Sequence, residues 1–161
     1  MKTYLKTILA LLTFLTVSSV FLAPAHAQNS PVTMQIIGGS TGKFVPTPHS
    51  LTTTGYSDFT VNVKVRQDGT ASGQFACAVP NAIVIAGQVT NATVNADGSV
   101  TVTGIGYGYA VGAGGFENDS FFATFRPGGP RVGGFDFADA MFPAGLYDTE
   151  SVLHGSITIT R

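Results

Sequence analysis

The sequence predicts an all-β protein, a single antiparallel β-sandwich or small β-barrel of about eight or nine short strands. Three observations carry that expectation. No stretch long enough for a helix of ordinary length repeats its apolar residues at i, i+3 and i+4. Two-residue alternation recurs along the chain. Two Asp-Gly pairs, Asp68-Gly69 and Asp97-Gly98, sit between alternating runs, where glycine accepts a positive φ without a Cβ clash and turns the chain into a hairpin.

The elements follow in order. After a polar, proline-containing stretch (Asn29 to Pro31), Thr33 to Ile37 reads as a first strand. Gly38 to Gly55, with Pro46 and Pro48, reads as a long connection. Phe59 to Arg66 alternates cleanly, with Phe59, Val61, Val63 and Val65 on one face and Thr60, Asn62, Lys64 and Arg66 on the other. QDGT (Gln67 to Thr70) turns it into the strand bearing Cys77, and Ala82 to Asn95 passes through the second Asp-Gly turn into Ser99 to Gly104. Ile105 to Val111, Ser120 to Arg126, Gly133 to Asp139 and Val152 to Thr160 supply the later strands, with Met141 to Ser151 left as a long segment between the last two.

The N-terminus sets the compartment. Met1 to Lys6 carries two lysines and no acid, Ile8 to Leu22 is apolar apart from Thr and Ser, and APAHA (Ala23 to Ala27) offers small residues at a cleavage site. This predicts a signal peptide over 1–27 and a secreted or periplasmic protein. A spanning helix needs about 20 apolar residues, more than this run provides. The remaining 134 of 161 residues suit one domain, made of an N-terminal strand and long connection (28–58) and a main antiparallel part (59–161). An outer-membrane barrel is set aside because its strands run about 9–11 residues, longer than most of those read here.

Beyond residue 27, six Lys and Arg against nine Asp and Glu leave a balance of −3 with no basic cluster. Nucleic acid, which is held by lysines and arginines on phosphates, is therefore not an expected partner, and neither is an anionic membrane surface. The single cysteine excludes an intrachain disulfide. In QFACAVP, Phe75, Cys77 and Val79 share a face, so Cys77 reads as a small buried hydrophobe rather than an activated thiol.

Glycine placement is informative in IGYGYAV, where Ile105, Tyr107, Tyr109 and Val111 share one face and Gly106 and Gly108 the other. Something bulky is expected against that bare backbone, either an aromatic side chain from a neighbouring strand or a ligand. Taken together, FTVNVKVRQDGTASGQF, IAGQVTNATVNADGSVTVTG, DSFFATFRPGGPRVGGFDFADA and VLHGSITIT resemble the β-rich "post-COAP" domain of secreted bacterial proteins, over about Phe59 to Thr160. The resemblance implies the fold and export. It lends no catalytic site, because its motifs are turns and strands.

Candidate site residues are few. FEND (Phe116 to Asp119) lies in a glycine-rich stretch, and Glu117 and Asp119 could meet Asp148 around a calcium ion, which takes several oxygen ligands. The chain lacks the D-x-[DN]-x-[DN]-G run of a calcium loop, so no cofactor is expected. Asp136 points away from Phe135 and Phe137 and reads as solvated. His49 and His154 are too far apart in sequence, with one cysteine to help, to suggest zinc. His154 lies opposite Leu153, Ile157 and Ile159, towards a barrel interior or solvent. The resulting expectation is an exported, non-catalytic binding or structural module whose partner is a protein, a glycan or a small ligand. The rival is a small-ligand-binding barrel, with enzymatic chemistry open to it, and a pocket near Tyr107, Tyr109 and His154. A core filled by phenylalanines favours the first, and a pocket lined by those residues and an acid favours the second.

Overall fold

A computed structural model of the chain describes residues 30–46, 55–111, 114–139 and 146–161; residues 1–27, read above as a signal peptide, and His49 lie outside them. Nine strands follow one another: β1 (Val32–Val45), β2 (Tyr56–Arg66), β3 (Thr70–Val79), β4 (Ile83–Val94), β5 (Val100–Ala110), β6 (Gly114–Arg126), β7 (Gly134–Asp139), β8 (Leu146–Val152) and β9 (Ser156–Thr160). Each of β1 to β7 pairs antiparallel with its successor, and β8 returns to β1. Eight strands thus close into a barrel. β9 continues along the edge of β1 that β8 vacates, pairing from Gly39↔Ser156 to Gln35↔Thr160. Gly128, in the loop after β6, bridges to Ile157 and holds β9 from its other side.

Both Asp-Gly pairs lie in hairpin turns. Gly69 donates to the Arg66 carbonyl and Gly98 to the Asn95 carbonyl, and only the glycines take positive φ, 82° and 83°. The preceding aspartates lock the turns: Asp68 accepts from the backbone and hydroxyl of Thr70, and Asp97 from those of Ser99. The side-chain hydrogen bonds from Thr70 and Ser99, followed by the backbone ones, hold both carboxyls below the usual carboxylate range.

Several sequence expectations need correction. The first strand does not stop at Ile37 but runs to Val45, so Gly38 to Val45 belongs to β1 and not to a connection. Its glycines are needed there; a Cβ on Gly38 would sit 2.9 Å from the Ser156 carbonyl. FEND lies on β6 rather than in a loop, Leu146 to Ser151 of the unassigned segment form β8 together with Val152, and the last strand begins at Ser156 rather than Val152. Six strands have 10 to 14 residues, so short strands do not separate this barrel from a membrane one. The interior is mainly apolar, and the outer face of β2 presents Asp58, Asn62 and Lys64. Among the described residues no helix is long and apolar enough to cross a membrane.

Phenylalanines fill the interior. Phe75, fully buried on β3, has the rings of Phe125 and Phe137 at 5.5 Å, Phe135 at 5.9 Å and Phe121 at 6.0 Å. Phe121 in turn lies against the backbone of Gly87, Gly104 and Gly106. At Gly106, what covers the bare glycine face is therefore an aromatic ring of β6. Phe75→Ala should therefore cost about 3–5 kcal/mol, read as a lower urea midpoint with an unchanged slope. A loss below about 1 kcal/mol would mean that the rings are not tightly packed.

Candidate functional site

Ser99 is buried in the β4–β5 turn, but the other buried polar groups among the described residues gather towards the end where β2 and β4 begin: Ser57, Asp119, Asp148 and Glu150, alongside Cys77. Four consecutive strands of the ring build the centre of this group. Glu150 points inward from β8, and its carboxylate lies over Gly42 of β1, where any Cβ would collide with it. It reaches Ser57 of β2, whose hydroxyl donates to Oε2, and the Cys77 thiol of β3, whose Sγ is 3.9 Å from Oε1.

Burial dominates the electrostatics. It raises the Glu150 carboxyl to about 7; the Ser57 hydroxyl opposes that shift and neighbouring Asp148 adds to it. Burial also pushes the Cys77 thiol up to about 12, reinforced by Glu150. A nucleophilic cysteine needs the reverse, a nearby cation or helix N-terminus that stabilises the thiolate. Cys77 is a core residue, as its alternation predicts, placed beside a carboxyl that titrates near neutrality. Among the described residues, every buried side-chain nitrogen and oxygen has a hydrogen-bond partner.

The residues singled out from the sequence are dispersed. Tyr107 and Tyr109 project outward from β5, 63% and 57% exposed. His154 is exposed in the break between β8 and β9, where its backbone N–H donates to Thr41 of β1, four strands from β5 in the ring. Glu117 and Asp119 are separated by a bulge at Asn118, which takes a φ of 57° and sends Glu117 outward and Asp119 inward. Asp148 faces inward from β8. Among the described residues, no three of His, Cys, Asp and Glu converge in a way that could hold a metal. Asp136 is not simply solvated: it pairs bidentately with Arg126, at 2.7 and 2.9 Å.

A second feature lies outside. β3, β4 and β5 contain no Asp, Glu, Lys or Arg. Their outer face carries exposed Val84, Ile105, Tyr107 and Tyr109, with Val111 just beyond, all more than half exposed. Across the strands, Tyr109 stands opposite Val84 and Tyr107 opposite Ala86, while Ala78 and Ala76 continue the two rows on β3. The small alanines leave a trough of about 220 Å³ between Asp58 and Thr60 of β2 and Val84 and Ala86 of β4. Further along, Asn62, Lys64, Ser72, Gln74 and Gln88 line a second trough of about 320 Å³.

No family model matches the chain, no curated protein is significantly similar to it, and no solved structure matches its fold.

The raised Glu150 carboxyl makes stability pH-dependent. Between about pH 4.5 and 7 the unfolded chain has lost this proton and the folded chain still holds it, so stability falls as pH rises through that window. The loss is about 3 kcal/mol at most. Glu150→Gln, which mimics the protonated form, should flatten the fall and make the protein more stable than wild type above pH 7, as read by urea unfolding across pH. Identical pH profiles for the two proteins would contradict this.

Proposed function

We propose that the chain is an exported, non-catalytic binding module that meets its partner through the outer wall of β3–β5. The observation that carries this reading is the separation of filling from display. Six phenylalanines occupy the interior, and the exposed tyrosines and aliphatics stand outside on a wall without charges. Large contiguous apolar surface rimmed by polar groups is what interaction sites present. Catalysis receives no comparable support, because the Ser57–Cys77–Glu150 group is enclosed and its thiol is held neutral. Export is supported by the sequence of Met1 to Ala27 and by the likeness of Phe59 to Thr160 to the post-COAP domains of secreted bacterial proteins.

Thermal unfolding with a panel of small apolar ligands tests this against the ligand-filled barrel. Binding to the native state alone raises Tm. The filled interior predicts no ligand-dependent rise that persists in Tyr107→Ala/Tyr109→Ala, a pair of surface changes expected to alter stability by less than about 1 kcal/mol. A saturable rise that survives the double substitution would place a ligand inside and overturn the reading.

A further inference from the structure

We infer that the outer troughs of β3–β4 form a binding track for an uncharged polysaccharide chain, an inference that rests on the reading of this wall as the contact surface. The two troughs adjoin along the same strands, where Ala76 is followed by Gln74 and Ala86 by Gln88. From Ser72 to Ala78 the track extends about 20 Å at strand spacing, long enough for several sugar rings in a row.

Its chemistry changes along its length. One half has a floor of Ala76, Ala78, Val84 and Ala86, with Tyr109 and Tyr107 on the next strand opposite Val84 and Ala86, an apolar surface that suits the C–H faces of sugar rings. The other half presents amides and hydroxyls. Gln74 and Gln88 face each other across the strand pair, both exposed, and their side chains make no hydrogen bond to another described residue, so they can both donate to and accept from ligand hydroxyls. The nearest charges are few and of mixed sign: Asp58 of β2 lines the first trough, Lys64 of β2 the second, and Glu117 stands on β6 beyond the tyrosines.

Each competing occupant lacks something. A polyanion or polycation finds no row of counter-charges on these three strands. A polypeptide adding as a strand needs free backbone groups, but β3 and β4 are paired on both sides within the closed ring. A second copy packed face to face would bury the amide half of the track against itself, whereas the core of such an interface is apolar. A neutral, hydroxyl-rich chain brings its own hydrogen-bonding groups and needs neither counter-charge nor free edge.

Affinity electrophoresis of the purified protein through gels containing hydroxyethylcellulose, xylan, a β-1,3-glucan, soluble starch or glycol chitin tests the inference, with sedimentation velocity alongside. The expected result is retardation by at least one polymer, weakened about tenfold or more by Tyr107→Ala/Tyr109→Ala and also by Gln74→Ala/Gln88→Ala. Retardation untouched by either pair overturns both the track and the wall as the contact surface. Absence of retardation with every polymer, together with a concentration-dependent dimer abolished by the tyrosine pair, overturns the polysaccharide and leaves the wall as a contact surface for a second copy. Absence of both overturns the inference and the reading beneath it.

Discussion

Closure of the ring is the constraint on which the rest of the structure depends. β1 pairs with β2 along one edge and with β8 and then β9 along the other, so the barrel itself offers no open edge between β2 and β8. Closure commits alternate side chains of every strand to one enclosed volume. A shift of one residue in any strand would exchange its inward and outward sets. The seam shows the consequence most directly. Gly42 leaves space on β1 for the Glu150 carboxylate to cross from β8 to Ser57 on β2, so one polar contact spans the strands that complete the ring.

The enclosed volume is occupied by rings, and this determines where binding can happen. With Phe75 surrounded by four aromatic neighbours and Phe121 laid against the Gly87 and Gly104 backbone, the interior has the character of a core. What the glycines of β4 and β5 give to the inside they take from the symmetry of the wall. The inward positions are bare and covered, and the outward positions between them carry Ile105, Tyr107 and Tyr109. The aromatic face that the sequence makes conspicuous is therefore the one turned away from the core.

How much of this could be read in the sequence varied with the kind of signal. β2 was legible because its apolar and polar residues alternate without exception from Phe59 to Arg66, and both Asp-Gly turns formed where glycine allowed a positive φ. β8 was not legible, because its inward residues include Asp148 and Glu150; acids on the buried face invert the usual pattern and look like a loop. The glycines of β1 misled in the same way, since they mark close approach of neighbouring strands and not a break. The polar group of the interior is only partly legible: Cys77 stands out as a buried residue and Asp119 and Asp148 as acids, but nothing in the heptapeptide around Cys77 reveals the Glu150 carboxyl that β8 brings within 3.9 Å of its sulfur. Contacts between residues 73 positions apart depend on closure and carry no local signature.

Cys77 also provides a natural probe of the central claim that the interior is filled and closed. Its thiol is buried in the core cluster, and it is the only cysteine in the chain. The most direct measurement is the rate at which a thiol reagent labels it in native conditions as a function of urea. The account predicts labelling only through global unfolding, so that the free energy of protection equals the unfolding free energy and falls with the same urea dependence. Rapid labelling in the absence of urea, independent of stability, would mean that reagent reaches the interior of the folded barrel and would contradict it.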